Sequence, residues 1–273
     1  QIDAGTMSPY EHGETFVTDD WWETDLDLGN YERFLNVALT KDNNITSGKI
    51  YQSVINKERR GDYLGQTVQV VPHIVDEIKN RIKSCATWHD VVIVEVGGTV
   101  GDIESPAFYE AARQMKRELG HHNVCYVHLA PIIRIPHSGE LKTKPMQHSI
   151  KALRETGIVP DMLLCRTDGD IPQSLIQKIS VAADLCEKAI FAAPNVKSIY
   201  EVPVRYAKQW MHEVLANALQ LSLQTFSLEK WEAVVNNILH PEKEITIAMA
   251  WKYTHVPECY HSVNEAIIHA WAA

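Results

Sequence analysis

His89-Asp90-Val91-Val92-Ile93-Val94-Glu95-Val96-Gly97-Gly98-Thr99-Val100-Gly101-Asp102-Ile103-Glu104-Ser105-Pro106 sets an apolar run against a cluster of acids and glycines, immediately before a helical stretch. Val91 to Val94 are consecutive β-branched residues without polar alternation, the pattern of a strand buried on both faces of a parallel sheet. Glu95 then falls at the carboxyl end of that strand. In open α/β sheets ligands collect in the crevice outside those ends, and Gly97, Gly98 and Gly101 let the backbone approach a ligand or take a positive φ. Ser105-Pro106 starts a helix with the apolar face Phe108, Ala111, Ala112, Met115 and Leu119. The run reads as a place for metal and phosphate. An acidic αβ connection without a ligand is the competing reading, disfavoured by the concentration of acids and glycines.

Outward from this run, Val124–Leu129, Met162–Cys165 and Ala189–Ala192 read as further buried strands with helical stretches between them. Those helices lie around His148–Thr156 and after Pro172, where Leu175, Ile176 and Ile179 share a face, and one from about Val204 to Leu221 follows. The alternation predicts a doubly wound, mostly parallel α/β sheet. Ser227–Trp231 opens a short helix ending near His240-Pro241, and Glu244–Met249 begins a new strand. One strand and one helix cannot bury a core, so residues 244–273 read as the start of another domain.

Composition narrows the function classes. A net charge of −9 argues against a nucleic-acid partner held by phosphate contacts. No apolar run approaches the roughly 20 residues that span a bilayer, and Gln1 does not open a basic leader, so the chain reads as soluble and cytoplasmic. Cys85, Cys125, Cys165, Cys186 and Cys259 form no CxxC pair, which suggests neither a disulfide framework nor a zinc site.

Three segments carry charge in patterns that chemistry uses. Asp19, Asp20, Glu23, Asp25 and Asp27 place five acids within nine residues. Magnesium takes oxygen ligands, usually one or two carboxylates completed by waters and substrate phosphates, so one of these aspartates with Glu95 would make such a pair. A solvated acidic loop is the alternative on this segment alone. His137–Gln147 supplies the opposite sign: Lys142 and Lys144 flank Thr143, with Pro145 leading into a helix, an arrangement suited to clamping a triphosphate. Lys178, after Pro172, is a further candidate cation; a plain surface loop for the KTK stretch and a solvated helix-face lysine for Lys178 are the competing readings. Lys57–Gly65 is densely charged and reads as a lid or a subunit contact. No Ser/His/Asp or Cys/His spacing points to nucleophilic catalysis.

Several segments together resemble the CTP synthase family: Asp3–Pro9, Asp25–Phe34, Lys41–Thr46, Lys57–Gly65, Glu95–Ser105 and Gly139–Pro145. The resemblance implies an amidoligase domain over residues 1–222 with the fold of the P-loop synthetases (dethiobiotin synthetase-like). A linker over 223–243 and the start of a class I glutamine amidotransferase domain over 244–273 would follow. In that family ATP phosphorylates the 4-oxygen of UTP, and ammonia released from glutamine displaces the phosphate to give CTP. The resemblance implies Mg2+ on Asp27 and Glu95. It places UTP, or CTP as feedback inhibitor, on Asp102, Ile103 and Glu104, with Lys142, Thr143, Lys144, Pro145, Met146, Gln147 and Lys178 as the phosphate clamp. ATP would meet Asp27 and the stretch Pro194, Asn195 and Val196; His12 and Thr15 would line the ammonia passage. Homotetramers able to form filaments are implied as well.

The departures qualify this. Met146 stands where a threonine is usual, and Asn195 where an aspartate is. Trp21-Trp22 occupies a small-residue turn, and Trp251 and Trp271 fall on family glycines. The family's first strand and glycine-rich ATP loop precede the point where this sequence begins, and the glutaminase cysteine, histidine and glutamate lie beyond its last residue. The expectation is therefore that this chain alone has little or no synthetase activity and does not hydrolyse glutamine. A nucleotide-binding or filament-forming module of the same fold, without the chemistry, is the alternative.

Overall fold

The computed structural model describes residues 2–3 and 8–272. Of the segments that carry the resemblance, only residues 4–7 lie outside the described residues. The chain divides into two compact units, Gln1–Val96 with Lys243–Ala273, and Gly97–Glu242.

The first unit opens with α1 (Pro9–His12) and the antiparallel pair β1 (Phe16–Val17) and β2 (Glu23–Thr24). Next comes α2 (Leu26–Leu35), whose N-cap Asp25 accepts a hydrogen bond from the Asp27 backbone at 3.2 Å. Gly29 lets α2 approach β1 closely: a Cβ there would stand 2.8 Å from the Phe16 ring. Helices α3 (Ser47–Arg60) and α4 (Val75–Cys85) contact each other and bury Ile50, Val54, Val75 and Ile78. Between these helices Glu77, 7 % exposed, accepts hydrogen bonds from Ser53, Lys57 and Arg81. The segment predicted as a lid is thus partly the last turn of α3, tied down through Lys57.

The second unit contains α5 (Pro106–Leu119), β3 (Val127–Pro131), the antiparallel pair β4 (Ile133–Arg134) and β5 (Leu141–Lys142), and α6 (Lys144–Glu155). It continues with β6 (Met162–Thr167), α7 (Gln173–Ala183), β7 (Ile190–Pro194), α8 (Glu201–Lys208), α9 (Met211–Ala218) and α10 (Glu229–Leu239). Strands β3, β6 and β7 form a parallel sheet in that order, with Val127 opposite Met162 and Leu163 opposite Ile190. The core gathers Ala130, Ile132, Met146, Ile150, Leu163, Cys165, Ile179, Ala183 and Ile190 from the sheet and from α6 and α7. Last in the chain, α11 (His261–Ala272) belongs to the first unit.

The mixed α/β architecture with a parallel sheet agrees with the sequence reading, and several elements correct it. Residues 91–94 pair with no strand among the described residues, and Ile93 is 80 % exposed. Residues 244–249 likewise form no strand, and Ile245 is 61 % exposed. Both runs have strong local β-preference, but a strand exists only where a neighbour supplies the ladder hydrogen bonds. The strand expected at 124–129 forms at Val127–Pro131, held in register by β6. The long helix expected over 204–221 is two helices, because Trp210 between α8 and α9 takes a left-handed φ of 62°. Among the described residues no helix is long and apolar enough to cross a membrane.

Candidate functional site

Asp27 and Glu95 approach each other in the first unit. Asp27 lies in the first turn of α2, and one turn further along the same face the Tyr31 hydroxyl donates to Glu95 Oε2. Burial raises the Asp27 carboxyl above the ordinary range, the Asp25 charge adds to that, and an Asn30 hydrogen bond opposes it. Glu95 is raised in the same way, first by desolvation and then by the charges of Asp27 and Asp25. The Asp25 charge raises both carboxyls and the Asp27 charge raises Glu95, so Asp27 and Glu95 form a negative focus suited to a cation.

The donor set fits magnesium. Asp27 and Glu95 offer hard oxygen ligands and remain open to solvent, which leaves coordination positions for waters and phosphates. Among the described residues no group of three or more His, Cys, Asp or Glu side chains is placed to hold a metal ion, so the pair depends on waters and phosphates for the remaining positions. Sequence reasoning missed Tyr31 and Asn30. Their spacing of four and three residues from Asp27 on one helix was the available signal.

His12 and Thr15 lie in the same unit, at the end of α1 and just before β1; His12 Nε2 is 3.7 Å from Glu11 Oε2. Trp21 occupies the β1–β2 turn with a left-handed φ of 64° and is 85 % exposed, so the turn demands the conformation that glycine tolerates best. Beside it, Trp22 lies 4.1 Å from the Lys49 ammonium, a cation–π contact. Trp251 stacks on Tyr260 with centroids 4.7 Å apart. Nothing in the structure explains Trp271.

The second unit carries the other candidates. Asp102 folds back on its own loop and accepts a hydrogen bond from the Thr99 backbone at 2.8 Å. Gly98, at φ 85°, is required there because a Cβ would stand 2.8 Å from Asp102 Oδ2. Asp102, Ile103 and Glu104 are all exposed, whereas Ser105 beneath them is buried. Lys142 ends β5 and pairs with Glu140 at 2.7 Å; Thr143 caps the start of α6 and accepts from Gln147 at 3.0 Å. Lys144 and Pro145 are exposed in the first turn of α6, but Met146 is fully buried in the core and offers a ligand only its backbone. Lys178 is exposed on α7. Pro194, Asn195 and Val196 leave the carboxyl end of β7, where the Asn195 N–H donates to Thr167 O at 3.0 Å.

Comparison with known proteins sets these features in a family. The profile described as "CTP synthase N-terminus" matches residues 1–221. The chain is 50 % identical over 272 residues to "CTP synthase" of Aquifex aeolicus, covering 100 % of this chain and 51 % of that protein. It is 51 % identical over 272 residues to "CTP synthase" of Methanococcus maripaludis, again covering 100 % and 51 %. With "CTP synthase" of Methanocaldococcus jannaschii the identity is 50 % over 272 residues, covering 100 % and 50 %. The chain thus spans about half the length of the curated relatives it matches. A match to the family profile over most of its length, and identity near one half along all of it, make this chain a member of the CTP synthase family.

Proposed function

We propose that the chain is the synthetase half of a CTP synthase, in which ATP phosphorylates the 4-oxygen of UTP and ammonia then displaces the phosphate to give CTP. The observation that carries this reading is the convergence of Asp27 and Glu95, two carboxylates raised first by desolvation and then by neighbouring carboxylate charge, with both residues reached by solvent. Asp27 and Glu95 would hold Mg2+, which when bound would supply charge neutralisation for the triphosphate and the transferring phosphoryl group. Tyr31 donates a hydrogen bond to the carboxylate of Glu95.

The remaining residues position substrates. Asp102 and Glu104, with Ile103 between them, offer acceptors to the pyrimidine nucleotide, and CTP would take the same contacts as inhibitor. Lys142, Lys144 and Lys178 oppose triphosphate charge; Thr143, Pro145, Gln147 and the Met146 backbone shape the start of α6 around it. Pro194, Asn195 and Val196 lie at a strand's carboxyl end, where adenine of ATP would rest. His12 and Thr15 would border the path of ammonia. The reading includes a P-loop synthetase-type domain over 1–222, a linker over 223–243, an amidotransferase domain beginning at 244–273, cytoplasmic location and homotetramers able to form filaments.

Calorimetric titration tests it. UTP and CTP are expected to bind in preference to GTP, and Asp27→Asn to abolish the Mg2+ dependence of ATP binding. Preference for a purine nucleotide over both pyrimidines, or metal dependence unchanged in Asp27→Asn, overturns it.

A further inference from the structure

A hydrogen-bonded chain runs out of α2, one turn beyond Asp27, into α11. Asn30 Oδ1 accepts from Arg33 Nη2 at 2.8 Å and lies 3.3 Å from His261 Nε2. Asn30 stands three residues after Asp27, the spacing at which helix side chains meet, and its amide favours the ionised form of the Asp27 carboxyl. Arg33 Nη1 donates to Ser262 Oγ at 3.2 Å. Ser262 in turn donates twice to Glu14 Oε2, from Oγ at 2.6 Å and from its backbone N–H at 3.0 Å. The roles do not conflict: the serine hydroxyl gives its proton to Glu14 and receives from Arg33, and the Asn30 and Glu14 oxygens each serve two partners.

The arginine in the middle is held by its terminal nitrogens, since Nε is buried without a partner among the described residues. Gly29 makes room for it, because a Cβ there would lie 3.2 Å from Arg33 Nη1. Two fixed terminal nitrogens on a rigid fork transmit orientation better than a single flexible ammonium does. Ser262 and His261 lie outside residues 1–221, which the N-terminal family profile matches, yet they contact Arg33 and Asn30 on the helix that carries Asp27.

We propose that Ser262, acting through Arg33 and Asn30, is a positioning residue for Asp27, so that the seating of α11 sets how well the carboxylate pair holds its cation. The inference rests on the reading of Asp27 as a metal ligand. Groups hydrogen-bonded directly to a metal ligand typically change affinity by roughly 10- to 100-fold when removed, and Ser262 acts two bonds further out.

Mn2+ binding to the chain, followed by electron paramagnetic resonance beside thermal melting, separates the possibilities. Ser262→Ala is expected to weaken Mn2+ binding by roughly 3- to 10-fold, and Ser262→Thr, which keeps the hydroxyl, to restore it. A purely structural role would lower the melting temperature of Ser262→Ala and leave the affinity of the folded protein unchanged, which overturns the inference while Asp27→Asn still loses binding. Should Ser262→Ala fail to fold, Arg33→Lys carries the same test, because it keeps the charge and removes the fork. Unchanged Mn2+ affinity in Asp27→Asn overturns the metal reading itself, and this inference with it.

Discussion

The Tyr31 hydroxyl donates to the Glu95 carboxylate across 64 residues of sequence, joining α2 to the end of an extended run that has no strand partner among the described residues. A side-chain contact here takes the place of a ladder. Tyr31→Phe removes that hydrogen bond with little change in shape. We expect Mn2+ affinity to fall about tenfold while stability changes by no more than about 1 kcal/mol, since the bond is solvent-exposed. Titration with Mn2+ beside urea denaturation checks both.

Asp27 and Glu95 should burden the metal-free protein. Both carboxyls bind protons more tightly folded than unfolded, above their ordinary values of 3.8 and 4.5, so stability falls as pH rises through that range. Glu95→Gln removes one charge of the cluster. It is expected to melt no lower than the parent without metal at neutral pH, and to lose the stabilisation that Mg2+ gives the parent. Thermal melts with and without Mg2+ read both effects.

Glu77 behaves in the opposite sense. Burial alone would raise its carboxyl, but hydrogen bonds from Lys57, Ser53 and Arg81 outweigh that and hold it below its ordinary 4.5. Its stabilisation is therefore present above that value and is lost as pH falls through the lower, folded one. Glu77→Ala leaves Lys57 and Arg81 without their shared acceptor. Because both cations are about one-third exposed, we expect a loss of about 1–3 kcal/mol at neutral pH rather than the full cost of a sealed pair. The difference from the parent should shrink in acid, as followed by urea denaturation against pH.

Trp21 costs stability through its backbone. A left-handed φ of 64° is expensive for any residue with a Cβ, and at 85 % exposure the indole recovers little by packing. Trp21→Gly is expected to stabilise the protein by about 1 kcal/mol after the entropy of glycine is allowed for. Trp22→Ala should destabilise it by about 0.5–1 kcal/mol through loss of the contact with Lys49. Denaturation of the two variants in parallel decides whether the turn separates into these roles.

Much of this protein was legible in its residues alone. Apolar runs at 162–165 and 189–192 became the central and an edge strand of a parallel sheet, and the helix opened by Ser105-Pro106 formed as its spacing required. Side-chain chemistry also pointed to Glu95 and to one of the acids between Asp19 and Asp27, because hard oxygen donors are a local property, and the family resemblance chose Asp27 among them. What only the tertiary structure decided is pairing. Whether 91–94 becomes a strand depends on a neighbour distant in sequence, and β-branched residues carry no record of that neighbour. The burial of Met146 follows from the packing of α6 on the sheet, a matter of where its helix face points. The link from Asn30 through Arg33 to Ser262 joins residues more than two hundred positions apart, each ordinary on its own, and hydrogen-bond geometry alone makes them one system.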